Sequence, residues 1–267
     1  MHSVMRDAKR RWKSRIERAR ALQEKHPAFA AALRLYEATL EFQFEVASCP
    51  MSQADSELSL HKQLDISLAC SKLPSILAVV QKLGPEVLRA RANALFSEGE
   101  AAWRKYFASI VDQSNKIQNK IDDYFLRACL QPIAENLQSQ IAPDLNYSKS
   151  FCPACGGLPQ LSVLRPEGEG ASRSLMCSFC LREWLFRRIV CPYCGEGDKE
   201  KLPRYSADEC DYVHVEVCDT CKHYLKAVDL GIDGHAEPLV DEAAWAVLDL
   251  WAGEHGYTKI ISNLLGF

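Results

Sequence analysis

The chain has 267 residues and a formal net charge of −3, and 48% of its residues are hydrophobic and 25% charged. This composition is ordinary for a globular protein and excludes a largely disordered, collagen-like or low-complexity chain. The length exceeds the usual size of one domain, roughly 100–150 residues, and predicts more than one. No stretch approaches the roughly 18 uncharged apolar residues that a membrane helix needs, so we expect no membrane insertion.

Cysteine content and charge both change near residue 150. Nine of the twelve cysteines lie in residues 151–267. Residues 1–150 contain 21 Lys and Arg against 17 Asp and Glu, a net charge of +4, whereas residues 151–267 contain 11 against 18, a net charge of −7. We therefore predict a helical domain over residues 1–148 and two cysteine-rich modules over residues 149–190 and 191–267.

The N-terminal segment predicts a cytoplasmic protein. Lys and Arg are dense over residues 6–25, and the apolar segment of a secretory signal is absent from this region of the sequence. Arg10 and Arg11 could suggest a twin-arginine signal, but Trp12-Lys13-Ser14-Arg15 follows in place of an apolar segment. In a reducing compartment, closely spaced cysteines are expected to be metal ligands or redox thiols and not structural disulfides.

Residues 1–148 have the apolar periodicity of an all-α domain. Helices are predicted over residues 6–25, 27–44, 56–71, 74–82, 85–96, 98–111, 117–130 and 132–141. Pro74 and Pro132 are expected to separate neighbouring helices, because proline lacks the N–H group that a helix interior uses. Cys49, Cys70 and Cys129 lack the spacing of metal ligands and are predicted to be structural residues.

Four Cys-x-x-Cys pairs dominate the rest of the chain. They are Cys152/Cys155, Cys177/Cys180, Cys191/Cys194 and Cys218/Cys221, and 21, 10 and 23 residues separate them in turn. Two such turns about 20 residues apart can place four thiolates around one tetrahedral ion. The spacing therefore predicts one metal site from the first two pairs and a second site from the last two.

Local sequence around the pairs agrees with two small metal modules. Gly156 and Gly195 follow the second cysteine of the first pair in each predicted site, where a positive φ would turn N–H groups towards the sulfurs. Residues 212–217 alternate with three valines on one face and predict a strand, and residues 238–252 predict a C-terminal helix. The predicted fold class is α+β: a helical N-terminal domain, two rubredoxin-like or zinc-ribbon-like modules and a C-terminal helix. Modules of this size should depend on the metal for much of their folding free energy.

The chemistry of a four-thiolate site limits the possible functions. A filled tetrahedral site has no open position for water or substrate, and the sequence shows no other catalytic constellation, so we expect a protein that is not an enzyme. The spacing leaves zinc and iron open, and with them a structural or a redox role. Zinc ribbons often bind nucleic acid, but the negative charge of residues 151–267 would repel phosphate, so we expect no nucleic-acid partner. Cys210 has no cysteine partner at ligand spacing and is expected to be a spare thiol on a loop near the second site.

The cysteine motifs and the sequence around them resemble the FdhE family, the accessory proteins of formate dehydrogenases. The resemblance extends over about residues 148–267 and rests on Cys152-Pro-Ala-Cys155-Gly156-Gly157-Leu158-Pro159, on Cys177-x-x-Cys180 followed by Glu183-Trp184, on Cys191-x-x-Cys194, and on Cys218-x-x-Cys221-Lys222-His223-Tyr224-Leu225-Lys226.

The resemblance implies a cytoplasmic, non-catalytic factor that is needed to form active respiratory, molybdenum-dependent formate dehydrogenase and that binds its catalytic subunit before export. It also implies that the eight paired cysteines are ligands of two mononuclear S4 metal ions, with iron as the expected metal and zinc as the alternative. Two other functions stay open at this point: a rubredoxin-like electron-transfer protein and a nucleic-acid-binding zinc-ribbon protein. The oligomeric state is also open.

Overall fold

A computed structural model describes residues 2–111, 120–144 and 146–267. The chain divides into two compact units, Met1–Ala142 with Leu264–Gly266, and Pro143–Asn263 with Phe267. The first unit is helical and the second contains the sheet, which confirms the predicted α+β class. Part of the helix predicted at residues 117–130 lies outside the described residues.

The described residues of the first unit form six α-helices, where the periodicity predicts eight, and no strand, which agrees with the predicted all-α domain. The helices are α1 (His2–Lys25), α2 (Ala30–Ala47), α3 (Ile66–Leu83), α4 (Glu86–Glu98), α5 (Glu100–Val111) and α6 (Lys120–Ser139). The helix predicted from residue 56 begins only at Ile66, because the Asp65 side chain accepts a hydrogen bond from the Leu68 N–H at 2.8 Å and caps α3 there.

The prediction that Pro74 and Pro132 separate helices is wrong. Helix α3 continues through Pro74, and α6 continues through Pro132. Leu73 and Ile76 are buried on either side of Pro74, and Leu130 and Ile133 are buried on either side of Pro132. Burying each large apolar side chain stabilises the fold by roughly 1.5–3 kcal/mol, so together they offset the cost of about 3 kcal/mol for a proline inside a helix.

Within the described residues, α3 is long and apolar enough to cross a membrane, judged by length and composition alone. The helix contains Lys72 and Lys82, and its apolar face, which includes Ala69, Leu73 and Val80, is buried against other helices of the first unit. An amphipathic helix with one buried face is typical of the core of a helical bundle.

The second unit is built on one seven-stranded sheet. Its strands are β1 (Pro159–Glu167), β2 (Gly170–Cys177), β3 (Glu183–Leu185), β4 (Arg204–Ala207), β5 (Cys210–Val217), β6 (His223–Asp229) and β7 (Thr258–Lys259). The strand order is β3-β2-β1-β6-β5-β4, and β7 also pairs with β6. Strands β1 and β6 are parallel and join the two cysteine-rich segments in one sheet, with Leu161 opposite Lys226.

The alternation predicted for residues 212–217 is confirmed in β5. Val213, Val215 and Val217 are buried, and they pack in one core with Trp245 and Leu248. Those two residues belong to the C-terminal helical region, where the single helix predicted over 238–252 is in fact two helices, α7 (Pro238–Ala244) and α8 (Ala246–Glu254). The backbone of Trp245, with ψ of 45°, ends α7 and starts α8.

Four charged side chains form a buried network between the sheet and these helices. Nζ of Lys226 lies 3.0 Å from a Glu242 carboxylate oxygen and also binds Asp249, and Nζ of Lys259 lies 2.9 Å from Asp249 and also binds Glu242. Lys226 and Glu242 have no exposed surface. Burial lowers the pKa of Lys226, but the two carboxylates outweigh that effect and raise its pKa above the ordinary value. Two cations and two anions balance, so the network carries no net charge.

We predict that Lys226→Met destabilises the second unit by roughly 3–5 kcal/mol, because Lys259 is then left to balance two buried carboxylates and one buried negative charge stays uncompensated. Urea unfolding followed by hydrogen exchange of peptides from β5 and β6 would measure the change. Lys201→Met is the control, since Lys201 is exposed and makes one ion pair at 3.9 Å with Glu196, and its loss should cost less than about 1 kcal/mol. Equal unfolding midpoints for the two variants would contradict the prediction.

Candidate metal centres

The first centre gathers the four cysteines of the first two pairs. Their ligand atoms all lie within 4.8 Å of one another. The Sγ atoms of Cys152 and Cys180 are 3.5 Å apart, and those of Cys155 and Cys177 are 3.4 Å apart. Cys152 is 1% exposed, Cys155 8%, and Cys177 and Cys180 are fully buried.

The second centre gathers the four cysteines of the last two pairs in the same way. The Sγ atoms of Cys191 and Cys221 are 3.8 Å apart, and those of Cys194 and Cys218 are 3.7 Å apart. Cys191 and Cys218 are buried, but Cys221 is only half-buried and Cys194 is exposed. The partition of the eight sulfurs is the one that the spacing predicts, and the two centres differ in their access to solvent.

In all four Cys-x-x-Cys turns, the N–H of the first cysteine donates to the carbonyl five residues later, at 2.8–2.9 Å, and three of the turns have a second backbone hydrogen bond. The N–H of Gly156 donates to the Cys152 carbonyl at 2.9 Å, and the N–H of Gly195 donates to the Cys191 carbonyl at 2.9 Å. Further N–H groups point at sulfur: those of Ala154 and Phe179 lie 3.4 Å from the sulfurs of Cys152 and Cys177. Donors aimed at sulfur stabilise the thiolate form that binds metal.

The residue after the second cysteine has a positive φ in all four turns. Gly156 and Gly195 have φ of 73° and 82°, as predicted. The other two turns place non-glycine residues in the same conformation, Leu181 with φ of 57° and Lys222 with φ of 58°. Side chains disfavour this backbone region by roughly 1–2 kcal/mol per residue, so the remainder of each turn must hold them there.

The sulfur geometry fits a tetrahedral ion and excludes disulfides. A tetrahedron with metal–sulfur bonds of about 2.3 Å has sulfur–sulfur edges of about 3.8 Å. The distances in the second centre agree with this value, and those in the first centre are a few tenths of an ångström shorter. A disulfide would bring two sulfurs to about 2.0 Å. Each centre therefore has the donor set and the shape of a four-thiolate metal site.

The thiols of the first centre already differ in acidity. Hydrogen bonds from Cys155 and the other thiols lower the pKa of Cys152. Burial, in contrast, raises the pKa of Cys177. Cysteine binds metal as the thiolate, so an ion bound to the four sulfurs would displace their protons.

An aromatic pair covers one side of the second centre. The rings of Tyr193 and His223 stack with centroids 3.6 Å apart, and Nδ1 of His223 hydrogen-bonds the Cys221 carbonyl at 2.8 Å. Tyr193 lies inside the Cys191–Cys194 turn, where its N–H donates to the Cys191 sulfur at 3.4 Å. His223 is thus half-buried beside the centre and does not occupy a ligand position.

The remaining cysteines lie outside both centres. Cys210 is not on a loop, as the sequence suggested, but is the first residue of β5 and is 1% exposed. Its side chain packs in the core of the second unit, and burial raises its pKa to about 11, which makes it an inert thiol. In the first unit, Cys70 and Cys129 are buried and Cys49 is half-buried.

Gly157 is a site residue that spacing alone did not identify as necessary. A Cβ atom at this position would lie 3.1 Å from the Cys177 sulfur and 3.2 Å from the Cys155 sulfur. The equivalent position of the second centre is Glu196, whose carbonyl accepts the Cys191 N–H just as the Gly157 carbonyl accepts the Cys152 N–H. The tighter packing around the first centre is thus the reason for a second consecutive glycine there.

Comparison with known proteins identifies the family. The model of the FdhE central domain matches residues 151–188, and that of the FdhE C-terminal domain matches residues 189–265. A protein FdhE homolog from Aquifex aeolicus is 31% identical over 198 residues, which cover 72% of this chain and 68% of that protein. The chain belongs to the FdhE family.

Two further comparisons agree, one in sequence and one in fold. An FdhE homolog from Pseudomonas aeruginosa is 37% identical over 123 residues, which cover 44% of this chain and 40% of that protein. The crystal structure of the FdhE protein from Pseudomonas aeruginosa has the same fold, with a TM-score of 0.77, 24% identity and 96% of both chains covered. Each FdhE family model includes one complete four-cysteine centre of this chain.

We predict that Gly157→Ala impairs metal binding at the first centre of this FdhE family member and spares the second. The added methyl group would contact two sulfurs at 3.1 and 3.2 Å, which is closer than real Cβ atoms normally approach. Metal analysis of the purified variant should fall from about two ions per chain towards one. Gly197→Ala is the control, because a Cβ atom there meets only one backbone oxygen at 4.0 Å. Full metal content in Gly157→Ala would show that the sulfurs can move aside.

Proposed function

We propose that this protein is an accessory factor that binds the catalytic subunit of a respiratory, molybdenum-dependent formate dehydrogenase before that subunit is exported. Membership of the FdhE family indicates an accessory protein of formate dehydrogenase. One observation carries the proposal: each of the two segments that match an FdhE domain contains one complete four-cysteine centre. A factor that acts on a subunit before export works in the cytoplasm, which is the location we propose.

The protein acts in this proposal by binding and not by catalysis. In each centre four cysteine sulfurs complete a tetrahedron, so a bound ion has no position left for a substrate. The proposed ion in both centres is iron, with zinc as the alternative. Either ion would cross-link the four cysteines of its centre, and iron would also be capable of one-electron redox chemistry. The eight cysteines hold these ions, and the turns around them form part of the surface that a partner meets.

The second centre is the better candidate for that surface. Cys194 is exposed, whereas all four cysteines of the first centre are buried. Large apolar side chains near it are also exposed: Ile189 by 47% and Tyr193 by 50%. Exposed aromatic and aliphatic groups beside a rigid turn are the kind of residues that dominate the energetics of protein interfaces. The metal-stabilised turn would hold Tyr193 in place before the partner arrives.

We predict that Cys191→Ser and Cys218→Ser each reduce capture of the formate dehydrogenase catalytic subunit by at least about tenfold. Each substitution removes one ligand and with it the ion that fixes the turn, and ligand loss of this kind commonly undoes small metal modules. A pull-down with purified, full-length proteins would measure the change. Cys210→Ala is the control, since it removes a cysteine of the same unit that lies outside both centres.

Circular dichroism of the variants would show that the helical unit is still folded. Unchanged capture by Cys191→Ser and Cys218→Ser would exclude the second centre from partner binding. If Cys210→Ala also lost capture of the catalytic subunit, general instability of the second unit would explain the loss in all three variants.

We predict two metal ions per chain in natively purified protein, with iron as the main metal. Elemental analysis measures the metal content, and visible absorption that bleaches on reduction and returns on oxidation would identify iron bound by four sulfurs. Cys218→Ser should retain about one ion per chain, because the first centre has its own complete ligand set. Two zinc ions in a colourless protein that still captures the catalytic subunit would overturn the assignment of iron and of a redox role.

A further inference from the structure

A cavity of about 500 Å³ opens directly beside the second cysteine centre. Cys191 and Cys218 form part of its wall, and every residue that lines it belongs to the second unit. Its volume is within the range of roughly 300–1,000 Å³ that is typical of sites for small organic ligands.

The charge of the cavity is opposite to that of its surroundings. Residues 151–267 contain 11 Lys and Arg and 18 Asp and Glu. Four of these 11 cations line the cavity: Arg173, Arg188, Lys199 and Arg204. Only one of the 18 acids, Glu216, lines it. The acidic unit has therefore collected positive charge at one place, which selects an anionic ligand.

Arg173 gives the cavity a rigid, buried cation. It is 4% exposed, and its guanidinium donates to the carbonyls of Arg187 and Val190 at 3.1 Å and to Glu216 at 2.6 Å. The Nε atom of Arg173 has no hydrogen-bond partner among the described residues. Arg204 lies 3.0 Å from the other oxygen of Glu216. Two arginines thus share one carboxylate, and a surplus of positive charge is left.

The exposed rim adds two cations that can reach a ligand. Arg188 and Lys199 are both exposed and line the cavity. The rest of the wall is largely apolar, with Val190, Leu202 and Ile260 among its members. Cations at the rim and aliphatic side chains on the wall are complementary to a molecule with one acidic group and an apolar body.

We propose that this cavity binds a small organic anion with an apolar body, a carboxylate or a phosphate ester, against the second cysteine centre. This inference goes beyond the accessory role and does not depend on it. A ligand in this position contacts the turn that contains Cys191 and the strand end that leads to Cys218. Its binding and the retention of an ion by the second centre are therefore coupled, and by thermodynamic linkage the coupling acts in both directions.

The test uses the metal-loaded, full-length protein and two fluorescent probes of nearly equal shape. One is 1-anilinonaphthalene-8-sulfonate, an anion with an apolar body, and the other is N-phenyl-1-naphthylamine, which lacks the acidic group. We expect the anionic probe to bind about tenfold more tightly. Arg188→Gln and Lys199→Gln should each weaken its binding by about fivefold, because each removes one cation that faces the bound acid.

Arg187→Gln is the matched control for Arg188→Gln. Arg187 is the exposed neighbour, carries the same charge and does not line the cavity, so its replacement should leave the affinity unchanged. Displacement of the bound probe by hexanoate and by hexyl phosphate, but not by hexanol, would support the proposal, and the relative potency of the two anions separates a carboxylate ligand from a phosphate ester.

Equal affinity for the two probes, or equal weakening by Arg187→Gln and Arg188→Gln, would overturn the proposal, since both results describe non-specific binding to the surface. The assay contains no formate dehydrogenase subunit. Failure of the cavity proposal therefore leaves the pull-down result unaffected, and failure of the pull-down leaves the probe result unaffected.

Discussion

The convergence of four sulfurs at each of two points organises the whole second unit. Both centres lie where strands end: β2 leads into Cys177, and β5 leads directly into Cys218. The first cysteine pair of each centre, in contrast, lies outside the strands, in turns whose backbone hydrogen bonds are mostly local. Each ion would therefore fasten a turn without strand partners to the end of a hydrogen-bonded strand, a cross-link in addition to the apolar core of the unit.

The partition of the eight cysteines was predictable because its cause is local. A Cys-x-x-Cys turn is closed by hydrogen bonds over five residues, and the glycine that follows marks the required positive φ. The left-handed Leu181 and Lys222 had no such marker, because the rest of the turn imposes the conformation on them. The prolines inside α3 and α6 were mispredicted for a related reason: long-range packing of the neighbouring side chains outweighs a local preference. Tertiary contacts of this kind leave no pattern in a short window of sequence.

The single sheet and the cavity were both beyond sequence analysis. The spacing predicted two modules, each with its own strands, but pairing between β1 and β6 joins residues more than 60 positions apart. The cations of the cavity come from positions 173, 188, 199 and 204, which lie on a strand, a connecting segment, a short helical turn and another strand. They have no common periodicity. Only the fold brings them together, and the parallel β1–β6 pair is the contact that joins β2 and its Arg173 to β5 and its Glu216 in one sheet.

The two centres share one backbone design but differ in what surrounds them, and that difference has an electrostatic consequence. Four thiolates around a divalent ion carry two excess negative charges. In the first centre these charges are buried, and the N–H groups of Ala154, Gly157 and Phe179 lie 3.4 Å from the sulfurs. The second centre is open to water at Cys194, and its buried side lies against a cavity with a surplus of arginine and lysine. Those cations compensate the charge of the centre and at the same time attract an anion. Both centres receive N–H donors from their own turns, and the accessible centre has in addition the positive charge of its neighbours.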